Sequence, residues 1–580
     1  MRRSLASALA LLASTSAQAA APAPVGADGG MVVTAQHLAS EVGADVLKGG
    51  GNVVDAAVAV GYALAVVFPA AGNLGGGGFM NIRFADGRTA FVDMREKAPG
   101  AATPTMFQDA AGNVVKGRST DTWLAVGVPG TVAGLEWARE HYGTRSRPDL
   151  LAPAIALARD GFVLAPADTS LLQLAAPDFA GDPATAAVFT HDGKPYAVGE
   201  RLVQKNLAAT LEAVSAGGAD AFYRGAVGQA IADASRAGGG IITREDMAGY
   251  KVRELEPVRC SYRGYDVQSA PPPSAGGVAI CEILQILEGY DLGAMGYHSA
   301  AEVHAMVEAM RRAYHDRQGL GDPAFVTNDV TRLLDKAYAA KLRAGIDPAK
   351  ATPSTSLDGP PQAGAEGRQT TQYSIADAAG NAVSVTYTLN SWFGLRRVAG
   401  GTGVLMNNEM DDFAAKSGAS NQFGLVGSDA NAVAPGKTPI SSMSPTIVTR
   451  DGRLAMVIGS PGGSRIITIT LEAIVNVVDH GMTVAEAIDA PRFHMQWMPD
   501  VVEVEPFALS PDTRRMLEGQ GYAFKDKAPW GQAAGITTDV FGASGAKDDL
   551  ALPFLAKPPK PYRLYGADDD RDPVGSAAGF

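Results

Sequence analysis

The chain has 580 residues, 46% of them hydrophobic, and a formal net charge of -12. That acidic balance, with no Lys/Arg run, excludes a nucleic-acid partner, because phosphate binding needs a basic patch. The length and apolar content allow a large buried core, exclude a disordered chain, and leave the number of domains open.

Met1-Arg2-Arg3 is a short cationic stretch, Leu5 to Ala13 is a short apolar run, and Ala17-Gln18-Ala19 fits a small-residue cleavage pattern. Residues 1–19 therefore read as a removable signal peptide, so the mature protein is expected to be exported, periplasmic or secreted. No stretch approaches the ~20 apolar residues that span a bilayer.

Residues 36–48 and 53–68 are Ala-rich and read as two helices, separated by the punctuation Gly49-Gly50-Gly51-Asn52. Next, FMNIRF and TAFVDM alternate in hydrophobicity around Asp86-Gly87, which predicts a hairpin. The glycine run Gly75 to Gly78 just before it lacks both the GxGxxG spacing and the Lys-Ser/Thr of a phosphate cradle. Helical patterns dominate 129–160, 204–236, 278–290 and 299–316. Cys260 and Cys281 sit in no CxxC or Cys/His cluster, so metal and redox roles are unsupported, and whether they pair stays open.

Residues 351–369 are rich in Pro, Gly, Ser and Thr, an exposed linker by composition. Two predicted hairpins follow. TTQYSIAD and AVSVTYTL turn at Gly380-Asn381; SPTIVT and LAMVIG turn at Asp451-Gly452. Pro461-Gly462-Gly463-Ser464 then leads into the apolar helix RIITITLEAIVNVVDHG. Hairpins with helices on their faces make a layered α/β architecture.

The boundary Gln369-Thr370 carries the chemistry. A Thr hydroxyl is a poor nucleophile without a base, and a Thr that begins a chain supplies its own α-amine as that base. The amine's reference pKa of about 7.7 to 8.0 leaves a useful neutral fraction. Gly462 and Gly463, ahead of a helix, present backbone N–H groups that can hold a developing oxyanion. By itself each feature has a plain reading, as a strand start and a tight turn.

Together with NLGGGGFM (73–80), DMREKAP (93–99), GVPGTVAG (127–134), PPPSAGG (271–277), NNEMDDF (407–413), PISSMSPTIV (439–448) and GSPGGSRIIT (459–468), these residues make the chain resemble the γ-glutamyltranspeptidases. That family is one of the N-terminal nucleophile hydrolases, and the resemblance runs from about residue 30 to the end. It implies an αββα sandwich, self-cleavage between Gln369 and Thr370, and one folded unit made of a large subunit, 20–369, and a small subunit, 370–580. It implies Thr370 as nucleophile, Thr388 as the hydroxyl that orients it, and Gly462 and Gly463 as the oxyanion hole. Arg95, Ser441 and Ser442 would bind the α-carboxylate of a γ-glutamyl group, since a guanidinium fork and two hydroxyls suit a planar anion. Asn390, Glu409 and Asp412 would hold its α-ammonium. The partners implied are a glutathione-like γ-glutamyl donor and water, an amino acid or a peptide as acceptor, with neither metal nor cofactor.

The departures concern the loop 421–439, a flap over the pocket in many bacterial members. Phe423 stands where a gating Tyr is common, and Trp392-Phe393 and Arg396-Arg397, which line the stretch after Asn390, are expected to alter the acceptor side. WGQAAGI (530–536) finds no place on the family pattern. Three other readings are weaker. A cephalosporin-type acylase would leave the two carboxylates without a cation. A nucleotide site at Pro435-Gly436-Lys437-Thr438 fails because Asn431 stands where a P-loop needs Gly. An exported binding protein that does not mature would keep the pocket and remain one chain.

Overall fold

A computed structural model of the chain describes residues 22–357, 370–541, 562–571 and 573–580. The expected signal peptide and Gln369 lie outside the described residues.

Two seven-stranded sheets form the centre. In one, Gly30–Thr34, Thr371–Asp377, Ala382–Thr388, Gly77–Arg83 and Thr89–Asp93 are consecutive neighbours; in the other, Leu564–Asp568, Ala534–Thr538, Arg453–Gly459, Thr446–Arg450 and Tyr265–Ser269 are. The strands of both sheets pair antiparallel. The predicted hairpins are present, with Gly87 (φ 91°), Gly380 (φ 89°) and Gly452 (φ 74°) in the left-handed conformations that their turns require.

Period-two alternation sorts the side chains, but both faces are buried. Tyr373, Ile375, Val383, Val385 and Tyr387 point into an outer core beneath the helices His37–Lys48 and Val53–Val67. Met456, Ile458 and Val448 do the same in the other sheet, beneath Gly276–Leu287 and Ile466–Val478. The opposite faces meet each other. That gives the αββα sandwich: two outer cores, and between the sheets a thinner layer of Met31, Val33, Ala376, Ile447, Leu454, Val457 and Ile536.

The inner layer is partly polar and hydrogen-bonded across the sheets, as burial of polar groups demands. Ser374 Oγ donates to the Ala534 carbonyl (2.8 Å), Ser384 Oγ to the Ile458 carbonyl (3.2 Å), and Asn81 Nδ2 to the Gln268 carbonyl (3.1 Å). The glycine run before the first hairpin also gains a reason. A Cβ at Gly75, Gly76, Gly77 or Gly78 would lie 2.0–2.5 Å from the carbonyl oxygen of Leu405, Thr388, Met94 or Thr386, so only glycine admits these backbones.

The helical stretch expected over 129–160 is two helices, Thr131–Tyr142 and Arg147–Asp160, and that over 204–236 is Lys205–Tyr223 and Ala226–Ala237. Gly143 and Gly225 provide the breaks. Cys260 and Cys281 form a disulfide, tying the strand Val258–Tyr262 to the helix Gly276–Leu287. WGQAAGI supplies the first residues of the strand Ala534–Thr538, with Trp530 buried against the Arg465 guanidinium, 4.7 Å from the ring centroid.

Candidate active site

Strand register creates the site. Thr371 pairs with Tyr387, so the preceding Thr370 falls opposite Thr388 at the end of the inner layer. Their hydroxyl oxygens are 3.4 Å apart, with Thr370 donating. Thr388 Oγ1 also accepts the Asn390 N–H at 2.9 Å, which fixes its lone pairs and hence the direction of the Thr370 hydroxyl. Asn73 holds this strand end from behind: its Nδ2 donates to the Thr388 carbonyl at 2.9 Å and its Oδ1 accepts from Gly76 N. Asn73 stood in the quoted NLGGGG string, but only its contacts give it a task.

Arg95 follows the strand Thr89–Asp93 and is 1% exposed, so the surface ion pair that its acidic neighbours suggest does not exist. Asp93 accepts the Arg95 N–H (2.9 Å), and Tyr250 donates to the Arg95 carbonyl (2.8 Å). The guanidinium reaches across to the short 3₁₀ turn Glu409–Asp412. Nη1 donates to Glu409, and Nη2 donates to Asp412 at 2.5 Å, with Glu96 3.6 Å away. Burial pushes the carboxyls of Glu96, Glu409 and Asp412 upward, with Arg95 acting against the shift. Among the described residues the buried Arg95 Nε makes no hydrogen bond, and the Glu409 carboxyl lies against those of Glu96 and Asp412.

The PPPSAGG string clamps the serines. Ser441 N–H donates to the Pro273 carbonyl (2.8 Å) and the Ser441 carbonyl accepts from Ala275 N (2.9 Å). Arg95, Thr370, Thr388, Asn390, Glu409, Asp412, Ser441, Ser442 and Gly463 thus surround one cavity of about 310 Å³; Gly462 is the chain neighbour of its glycine wall. Among the described residues neither glycine amide has an acceptor, so both N–H groups are free to meet an anion.

The flap closes over this wall. A Cβ on Gly463 (φ 58°) would lie 2.6 Å from Phe423 Cδ1, so Phe423, which is buried, rests directly on the glycine. Asn421 Nδ2 donates to Asp412 (3.1 Å), Gln422 N–H to Asp411 (3.0 Å), and Gln496 Nε2 to the Phe423 carbonyl (3.3 Å). Asp411 also accepts from Ser119 Oγ (2.6 Å); burial pushes its carboxyl up to about 6. Phe423 supplies an apolar lid where a Tyr hydroxyl was the family expectation.

Other sequence expectations lie elsewhere. Phe393 packs on Phe179 (5.0 Å between centroids) and Arg396 pairs with Asp178 (3.2 Å), so these residues brace the helix Pro166–Phe179 and do not line the cavity. Lys437 is buried and donates to the Ala430 and Ala432 carbonyls (2.8 and 2.9 Å), which occupies the charge that a nucleotide would need. Among the described residues no group of three His, Cys, Asp or Glu side chains is placed to hold a metal ion.

Comparison with known proteins identifies the family. Residues 39–551 match the family model described as gamma-glutamyltranspeptidase. The chain belongs to the γ-glutamyltranspeptidase family. It is 56% identical to a glutathione hydrolase proenzyme of Pseudomonas sp. (strain A14), covering 97% of this chain and 96% of that one. With the glutathione hydrolase proenzyme of Escherichia coli (strain K12) the identity is 48%, over 92% and 93% of the two chains. The crystal structure of a cephalosporin acylase from Bacillus halodurans superposes with a TM-score of 0.80 at 25% identity, covering 99% of each chain. The family fold and the αββα sandwich described above are therefore the same architecture.

Proposed function

We propose that this γ-glutamyltranspeptidase matures by cleaving its own Gln369-Thr370 bond and then uses Thr370 to hydrolyse or transfer the γ-glutamyl group of glutathione-like amides. The observation that carries the reading is the cavity in which Thr370, the glycine amides and the Arg95–Glu409–Asp412 cluster face one another. In maturation Thr370 Oγ attacks the Gln369 carbonyl carbon, the C–N bond breaks, and the resulting ester is hydrolysed. Gln369 leaves as a carboxylate, and Thr370 keeps a free α-amine and its hydroxyl. The products are a large chain, 20–369, and a small chain, 370–580.

In turnover the α-amine takes the proton of Thr370 Oγ as the oxygen attacks the substrate's γ-carbonyl. Thr388 aims that oxygen, and the Gly462 and Gly463 amides receive the oxyanion. The leaving amine departs with the proton, and water or an amino-acid amine resolves the γ-glutamyl ester. The α-amino acid end is zwitterionic. Its carboxylate would take a share of the Arg95 fork with Ser441 and Ser442, while its ammonium would take the carboxylate oxygens so released, with Asn390. Arg95, whose Nε makes no hydrogen bond among the described residues, and the carboxyls gathered on it support a ligand carrying both charges. An acyl group without an ammonium would satisfy only one of them, which favours a γ-glutamyl donor over the substrates of related acylases.

Export to the periplasm or medium is part of the proposal, supported by residues 1–19; among the described residues no helix is long and apolar enough to cross a membrane. The test is Thr370→Ala against wild type. Wild type should give two bands on a denaturing gel, the smaller beginning Thr-Thr-Gln-Tyr, and should hydrolyse γ-glutamyl-p-nitroanilide in preference to glutaryl-p-nitroanilide. The variant should give one band and no turnover. Cleavage at the same bond in Thr370→Ala would remove Thr370 from the mechanism.

A further inference from the structure

The α-carboxylate subsite adjoins a charge that the residues assigned so far leave unexplained. Arg317 follows the helix Ala300–Asp316 and is 5% exposed. Among the described residues its guanidinium makes one hydrogen bond, from Nη2 to Ser442 Oγ at 3.4 Å, and its Nε has no partner. Of the other buried arginines, Arg95, Arg311, Arg312, Arg465 and Arg492 each reach a carboxylate and Arg83 is held by the Gly380 and Gly452 carbonyls; among the described residues Arg317 has no ion pair within bonding distance. Arg317 and Asp412 feel each other's charge, but Asp412 is bonded to Arg95, so a buried cation with no carboxylate within bonding distance calls for a reason.

The surroundings supply one. Arg317 lines a second cavity, which shares Asp412, Leu425 and Ile440 with the cavity that holds Ser442 and Thr370. Three carboxyls, those of Glu96, Glu409 and Asp412, crowd Arg95. A carboxylate entering that pocket competes with these groups for Arg95, so a second cation nearby favours it. Ser442 also needs direction. A hydroxyl has one hydrogen and two lone pairs, and when a cation donates to the oxygen its own hydrogen is both freed and polarised.

We infer that Arg317 is a positioning residue that makes the site selective for an α-carboxylate: it donates to Ser442 Oγ, so that the Ser442 hydroxyl donates to the substrate. This rests on the reading of Ser442 as a carboxylate ligand. The assay is a double-mutant cycle of Arg317→Gln, Ser442→Ala and the pair, all as mature two-chain enzymes. Three p-nitroanilides are compared: γ-glutamyl, glutaryl (no ammonium) and 4-aminobutyryl (no carboxylate).

Arg317→Gln should raise KM for the two carboxylate-bearing donors by about tenfold or more, with kcat within about threefold, and leave kcat/KM for the 4-aminobutyryl donor unchanged. In the Ser442→Ala background the Arg317 change should add less than about twofold. Arg317→Lys should recover part of the loss, and it carries the same comparison if Arg317→Gln does not fold. If Ser442→Ala leaves KM for the carboxylate donors unchanged, the assignment of Ser442 itself falls. If Ser442→Ala raises KM but the Arg317 variants do not, or if they damage all three donors equally, Arg317 has no part in carboxylate selection.

Discussion

Arg95 performs two tasks that its burial makes inseparable. Its charge offsets those of Glu409 and Asp412, and its fork is the proposed carboxylate ligand. Arg95→Ala should therefore cost stability, on the order of 3–5 kcal/mol for a broken buried ion pair, as well as affinity. Arg95→Lys keeps the charge without the planar fork, so it should fold near normally while KM for γ-glutamyl-p-nitroanilide rises about tenfold. Thermal midpoints and KM measured on both variants separate the two tasks; an unchanged KM in Arg95→Lys would count against the carboxylate role. Asp411 gives a pH signature. Burial raises its carboxyl to about 6, so the folded chain binds that proton more tightly than the unfolded chain. The resulting stability is fully present below the unfolded pKa near 4 and is lost as pH rises through 6, about 2–3 kcal/mol in all. Asp411→Asn lacks this slope. Its thermal midpoint relative to wild type should climb between pH 4 and pH 7, and a flat difference would show that Asp411 does not titrate there.

At the scale of elements, the turn before the helix Ile466–Val478 has little tolerance for a side chain. Gly463 combines φ 58° with Phe423 2.6 Å from its missing Cβ. Gly463→Ala should lower kcat by about a hundredfold or more by displacing an oxyanion donor. Adding Phe423→Ala relieves the crowding but not the backbone strain, so recovery of kcat in the double variant would assign the loss to the flap. The disulfide between Cys260 and Cys281 spans 21 residues of sequence. Replacing both by Ser should lower stability by about 3 kcal/mol, read as a lower thermal midpoint, with activity at low temperature retained.

At the scale of the molecule, the proposed cleavage divides a chain whose halves are woven together. In one sheet Thr371–Asp377 lies beside Gly30–Thr34 and Ala382–Thr388 beside Gly77–Arg83; in the other Thr446–Arg450 lies beside Tyr265–Ser269. The large and small chains should co-elute as one species on size exclusion and unfold in a single transition. Separation of the chains without denaturant would contradict a shared pair of sheets.

Much of this was legible from local sequence, because turns, alternation and caps depend on residues a few positions apart. Asp86-Gly87, Gly380-Asn381 and Asp451-Gly452 marked their hairpins, and a Pro/Gly/Ser-rich linker running into a β stretch singled out Thr370. The family resemblance named the other site residues, and the structure gathers them, except Gly462, around one cavity. The sequence did not reveal that both faces of those strands are buried, since Ser374 and Ser384 look like solvent-facing positions until a second sheet accepts their hydrogen bonds. Nor could it show Arg95 meeting Glu409 across 314 residues, Arg317 meeting Ser442 across 125, Phe423 resting on Gly463, or the pairing of the two cysteines. Sequence alone determined most of the elements and the chain position proposed for the nucleophile. Tertiary structure alone decided which charges share a buried pocket, because such contacts are set by how two sheets and their helices close on one another and leave no periodic trace along the chain.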